Sequence, residues 1–173
     1  QPRSRGLGDV YKRQGLGCED KYHNVPGAEA YTHSIQTLSK SRETYHRISE
    51  LPKGARVGIV GAGLSGIELA SELRESRSDL EILLYDRGPR ILRNFPEKLS
   101  KYISNWFSKH NVTVVPNSVI DRVEPGKIYN NGKPENIDLV VWTAGIQPVE
   151  IVRNLPIDTV SYTHLTLPTI YSV

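Results

Sequence analysis

Residues 56–86 read RVGIVGAGLSGIELASELRESRSDLEILLYD, and the reading of this stretch decides the fold. RVGIV (56–60) is an apolar run of strand length, and LEILLY (80–85) is a second. Between them, SGIELASELRES (65–76) carries Ile67, Ala70 and Leu73 on one side of a helix. The first strand joins the helix through Gly61-Ala62-Gly63-Leu64-Ser65-Gly66. Gly61 permits the tight turn, Gly63 lets a pyrophosphate approach the backbone, and Gly66 lets helix and strand pack closely. The helix N-terminus then presents unpaired N–H groups and a positive dipole end to the phosphates. A bare fingerprint of this kind also fits a glycine-rich turn in an unrelated α/β protein. Here it stands between a strand and a helix, the context that dinucleotide binding demands.

Asp86 ends the second strand, twenty residues past Gly66. A carboxylate there accepts hydrogen bonds from ribose hydroxyls and repels a 2′-phosphate, which favours NAD(H) or FAD over NADP(H). Arg87 and Arg90 cut against that preference, since either could pair with a 2′-phosphate. Glu68 is placed in the first turn of the helix, where its ordinary role is to offset the macrodipole. Its functional reading sets it near the dinucleotide or a neighbouring redox ring. Thr143-Ala144-Gly145 ends a nearly all-apolar strand, DLVVW (138–142). Ligands of open sheets bind beyond such strand ends, and small residues leave room for a cofactor. An ordinary strand-end turn would look the same.

Outward from this core, the spacing of Ile35, Leu38, Tyr45, Ile48 and Leu51 predicts a helix over 35–51, after a loop over 16–34. A further helix over 97–110 carries Leu99, Ile103, Trp106 and Phe107 as its apolar stripe, and 112–115 is a third strand. Strand candidates 119–123 and 127–129, with turns at Pro125-Gly126 and Asn131-Gly132, make a small antiparallel excursion before the return strand. The sum is an open α/β, Rossmann-like sheet decorated by a meander.

The 173 residues are 38% apolar and 24% charged, as in a globular chain. The net charge of +3 resides in residues 1–15, which hold Arg3, Arg5, Lys12 and Arg13 against Asp9. Residues 16–158 balance to zero, which argues against a nucleic-acid partner. One cysteine, Cys18, excludes an internal disulfide, and the five histidines show no metal-ligand spacing, so no metal site is expected. No apolar run is long enough to span a bilayer. Residues 1–15 are basic and without periodicity, and residues 159–173 hold no charged residue, so a basic arm and an edge strand over the alternating 162–167 is one reading of them. They resemble translated sequencing-adapter tails, and are expected to pack poorly.

The residues quoted above, with YDRGPRIL (85–92), KLSKYISNWFSKHNVTVV (98–115) and DLVVWTAGIQP (138–148), closely resemble the NADH-binding half of pyridine nucleotide-disulfide reductase-like flavoproteins. The similarity is greatest to type II NADH dehydrogenases, the single-subunit NADH:quinone oxidoreductases. Residues 16–48 resemble the segment that links the FAD domain to the NADH domain in such proteins. The resemblance implies NAD(H) at Gly61, Gly63, Leu64, Ser65 and Gly66, and a ribose contact at Asp86 beside Arg87. It implies a catalytic Glu68 near nicotinamide and flavin, and a domain junction at Ala144 and Gly145. It also implies the division 16–54 stub and linker, 55–145 NADH-binding domain, and 146–158 return to the FAD domain.

A second glycine fingerprint for FAD, a ribityl-holding Gly-Asp segment and a membrane-seating amphipathic region belong to that family and are absent from these residues. The expectation is therefore an NADH module whose FAD, quinone or other acceptor, and peripheral seat on the cytoplasmic face of a membrane belong to a longer parent. The isolated chain is then expected to be catalytically silent. A non-catalytic NAD(H)-sensing domain, or a ferredoxin or nitrite reductase component of the same flavoenzyme class, would leave much the same sequence.

Overall fold

The computed structural model describes residues 17–154, so both end segments singled out above lie outside the described residues. The chain divides into two compact units, Tyr22–Gly145 and the segments on either side of it.

Tyr22–Gly145 is built on four parallel strands. They are β2 (Arg56–Val60), β3 (Glu81–Tyr85), β4 (Val112–Val115) and β8 (Leu139–Trp142), in the order β4-β3-β2-β8. Val60 lies opposite both Tyr85 and Trp142, so three strands end level at their carboxyl edge. The interiors of β2, β3 and β8 are buried, as expected where both faces of a sheet are covered.

One face carries helices α2 (Leu38–Ser49), α3 (Leu64–Ser76) and α4 (Glu97–Lys109). Ile59, Ile82, Leu84 and Val141 pack there against Ile67, Ala70 and Phe107. The other face carries a meander of β5 (Ile120–Glu124), β6 (Lys127–Asn130) and β7 (Lys133–Asn136). Leu83, Tyr85, Val140 and Trp142 pack there with Val123, Ile128 and Ile137. The sheet is thus the middle of three layers, with helices on one side and antiparallel strands on the other.

Several sequence expectations shift. The first long helix runs over 38–49 rather than 35–51, with Thr37 as its N-cap. Its inward residues are Thr44 and Ile48, while Leu38 and Tyr45 are 68% and 71% exposed. The buried Thr44 hydroxyl donates to the Ser34 carbonyl at 2.7 Å, so a polar residue is satisfied where an apolar one was expected. Leu99 is likewise exposed, and Phe107 and Ser100 face inward on α4.

The segment read as loop over 16–34 contains a short helix α1 (Ala28–Tyr31) and a strand β1 (Cys18–Asp20). β7 was hidden by Pro134, which an edge strand tolerates because its N–H is not needed. In the smaller unit, β1 pairs antiparallel with β9 (Ile146–Pro148), which is followed by α5 (Glu150–Arg153). Glu19 there accepts from Gln147 at 3.1 Å and pairs with Arg153. Among the described residues no helix is long and apolar enough to cross a membrane.

Candidate dinucleotide site

The glycine turn after β2 is shaped by close backbone approach at two of its three glycines. Gly61 has φ 110°, and a Cβ there would stand 2.8 Å from Ala144 Cα. A Cβ on Gly66 would stand 1.9 Å from the Gly61 carbonyl oxygen. Gly63 differs: a Cβ there would meet nothing within 4 Å, and Gly63 is exposed. It is also the N-cap of the 13-residue α3, with no side-chain cap and no acidic residue in the first turn. Space is therefore open at the start of α3, and no acidic residue of its first turn competes for the helix-start N–H groups, the arrangement that receives an anion.

Neighbouring strand ends lock this turn. Gly61 donates its N–H to the Tyr85 carbonyl at 2.8 Å. The Thr143 hydroxyl lies within hydrogen-bond distance of the Val60 and Gly61 carbonyls, at 3.0 and 2.9 Å. Leu92, in a left-handed conformation at φ 49°, donates its N–H to the Ala62 carbonyl at 3.0 Å.

Asp86 is half-buried and tied to two loops at once. Its Oδ2 accepts the Ala62 N–H at 2.8 Å and its Oδ1 accepts the Gly88 N–H at 2.7 Å. A carboxylate has about four lone-pair sites, so each oxygen keeps one for a further donor. The two arginines diverge. Arg90 is spent on the carbonyls of Leu92, Arg93 and Phe95, at 2.8–3.2 Å. Arg87 is exposed and lines the cleft beside Asp86, as does Arg93, which the sequence reading passed over.

These residues border a cleft of about 410 Å³ along the carboxyl ends of the sheet. It runs from Ser118 and Val119 past β4, over Asp86 and Arg87 after β3, over Gly61–Gly63 after β2, to Thr143, Ala144 and His23 beside β8. Tyr85 lies under it, 1% exposed. The phenol of Tyr85 donates to Glu135 Oε2 on β7 at 2.7 Å, and Asn130 on β6 donates to Glu135 Oε1 at 3.0 Å. Burial, then the hydrogen bond to Glu135, pushes the Tyr85 phenol well above its ordinary value.

The structure therefore gathers Gly61, Gly63, Asp86, Arg87 and Ala144 at one cleft. Leu64, Ser65 and Gly66 form the first turn of α3 behind it. Gly145, at φ 146°, follows Ala144 outside the lining. Glu68 is also outside the lining and exposed. Because α3 starts at Leu64, Glu68 falls on the second turn rather than the first, so the macrodipole account of it does not apply. His23 and the Tyr85–Glu135 pair carry no local sequence signal, because their partners lie 121 and 50 residues away.

Comparison with known proteins gives the family and the fold. The family described as "Pyridine nucleotide-disulphide oxidoreductase" matches residues 15–161. The chain is 58% identical over 144 residues to an "NADH dehydrogenase-like protein" of Bacillus subtilis, covering 83% of this chain and 41% of that one. It is 26% identical over 149 residues to a "Demethylphylloquinone reductase" of Synechocystis, covering 81% and 37%. In structure it is similar to a water-forming NADH oxidase from Lactobacillus brevis solved bound to NADH. The TM-score is 0.72 at 16% identity, covering 83% of this chain and 32% of that one, a likeness of fold. The chain thus spans about two fifths of the length of these curated relatives.

Proposed function

The chain belongs to the pyridine nucleotide-disulphide oxidoreductase family, and from that premise we propose that Tyr22–Gly145 bind NAD(H) for a flavin-dependent NADH:acceptor oxidoreductase. The observation that carries the reading is Gly63, open to solvent at the uncapped start of α3 and flanked by Asp86. A pyrophosphate fits that position because no side chain occupies it and helix-start N–H groups face it. The adenosine half lies toward β3 and β4, where Asp86 has lone pairs left for ribose hydroxyls. The nicotinamide half lies toward Thr143 and Ala144.

When bound, NADH supplies a hydride, in this reading to a flavin held by a longer protein. Within this chain, Thr143 holds the turn, Asp86 joins the ribose to the loop, and α3 neutralises phosphate charge. Glu68 is proposed as catalytic by resemblance alone; its exposed position leaves it to face whatever approaches from outside this unit. A quinone acceptor is supported by the names of the relatives and by nothing in these residues. Peripheral membrane association belongs to the same longer protein.

Fluorescence titration of the 173-residue chain with NADH and NADPH tests the reading. NADH should bind more tightly, and Gly63→Val should abolish binding. Equal or tighter NADPH binding would remove the argument from Asp86. With FAD and a soluble quinone analogue added, the chain should oxidise NADH no faster than free FAD, because hydride transfer needs both partners held at about 3–3.5 Å.

A further inference from the structure

The cleft's two ends differ in how they are built. At the β3 end, a side chain, Asp86, grips the glycine turn directly. At the β8 end, the backbone of Ala144 lines the cleft, and its carbonyl is held by a residue 121 positions away: His23 Nε2 lies 2.9 Å from Ala144 O. A carbonyl oxygen only accepts, so Nε2 carries the proton and donates it.

The placement of His23 is enforced from several sides. His23 and Asn24 are both left-handed, at φ 51° and 58°, a pairing that is uncommon outside glycine. The turn is closed by Val25 N–H donating to the Tyr22 carbonyl at 3.0 Å. Tyr22 packs on the buried Trp142, ring centroids 6.0 Å apart. Two residues on, Val123 N–H of the meander donates to the Pro26 carbonyl at 2.9 Å, and a Cβ on Gly27 would collide with the Val123 oxygen at 2.0 Å. The turn is pinned to the sheet on one side and the meander on the other, and its histidine points at the strand-end wall.

Resting on the dinucleotide reading above, we infer that His23 is a positioning residue for the nicotinamide half of the cofactor, acting by fixing the Ala144 peptide against which that half lies. The inference separates the two halves of the ligand. Loss of the His23 bond frees the wall at β8 and leaves Gly63 and Asp86 untouched.

The test compares NADH with ADP-ribose, which keeps the adenosine, pyrophosphate and ribose but lacks the nicotinamide. Both are titrated calorimetrically into the 173-residue chain and into His23→Ala, His23→Asn and His23→Gln. Asn retains the tolerance for left-handed backbone but lacks the reach; Gln places an amide N–H near the position of Nε2. The expected result is NADH binding weakened about three- to tenfold in Ala and Asn, and recovered in Gln. ADP-ribose affinity should stay within about twofold throughout. If NADH and ADP-ribose weaken together, or neither changes, the assignment of His23 is overturned while the dinucleotide reading stands. If the unaltered chain binds neither ligand, the dinucleotide reading falls and takes this inference with it.

Discussion

Asp86 holds Ala62 by a 2.8 Å hydrogen bond from the Ala62 backbone N–H to its Oδ2, while its Oδ1 takes the N–H of Gly88. One carboxylate therefore sets the relative position of the glycine turn and the loop after β3. Asn at this position could accept from only one of the two N–H groups and would turn an N–H toward the other. Asp86→Asn is expected to destabilise the fold by about 1–3 kcal/mol. It should also narrow the preference for NADH over NADPH, since the repelling charge is gone. Denaturant unfolding and paired titrations check this; an unchanged unfolding midpoint would show that Asp86 does not brace the loops.

The glycines of one fingerprint should separate into two classes. At Gly66 a Cβ would stand 1.9 Å from backbone oxygen, and backbone cannot step aside as a flexible side chain would. Gly66→Ala is expected to cost about 3 kcal/mol or more. At Gly63, with open space and φ −77°, Gly63→Ala should cost no more than about 1 kcal/mol, mostly from the weaker N-cap, while cutting NADH affinity. Melting curves and binding isotherms on the two variants give the comparison. Equal loss of stability at both sites would contradict the assignment of Gly63 to ligand approach.

Tyr85→Phe removes the phenol that serves Glu135 and leaves a partly buried carboxylate oxygen without that donor. A cost of about 1–3 kcal/mol is expected. The pH dependence has a definite sign. The folded phenol keeps its proton to higher pH than the unfolded one, so its contribution is complete below about 10 and is lost as pH rises above that value. Urea midpoints at pH 8 and 10.5 should therefore fall further for the unaltered chain than for Tyr85→Phe; parallel shifts would rule the pair out as an alkaline-sensitive contact.

Arg77 ties the end of α2 to the turn before β3, donating to the carbonyls of Ile48 and Leu51 at 2.6 and 2.9 Å while pairing with Asp79 at 2.8 Å. The hydrogen bond from Arg77 holds the Asp79 carboxyl down at about 2. A depressed carboxylate stabilises above its unfolded value near 4, and the contribution disappears as pH falls from there toward 2. Asp79→Asn should flatten the acid limb of the stability profile between those values. Chemical unfolding at pH 5 and 2.5 measures it, and identical slopes in both chains would exclude the pair from acid sensitivity.

The parts of this fold legible in sequence are those whose partners lie within one strand-turn-helix unit. Gly61, Gly63 and Gly66 announce themselves by their spacing between strand and helix, although the backbone that crowds Gly61 is that of the distant Ala144. Asp86 was legible by spacing, yet its double grip on Ala62 and Gly88 was not, since it depends on two loops meeting. Arg90, which looked like a candidate for a 2′-phosphate, is consumed by three carbonyls of its own loop, a choice made by backbone path rather than by residue type. The first long helix starts later than its spacing predicts because Ile35 precedes the Thr37 cap, and its inward face differs because Leu38 and Tyr45 face solvent while Thr44 and Ile48 are buried. His23 was invisible because nothing near it in sequence marks a bond to Ala144.

The strand order places β2 between β3 and β8, with Val57 opposite both Ile82 and Leu139. One neighbour follows within a single helical crossover, and the other comes only with Leu139, 57 residues after Ile82. On a ribosome moving at roughly 5–20 residues per second, that is a wait of several seconds. During it, the apolar strand RVGIV has one edge paired and the other bare, the kind of edge that recruits foreign strands. The last of the four parallel strands to be synthesised is thus the one that covers the bare edge of β2, and it leads directly into the Thr143 and Ala144 that complete the cleft. The cleft is completed and the inner strand RVGIV is covered in the same step of synthesis.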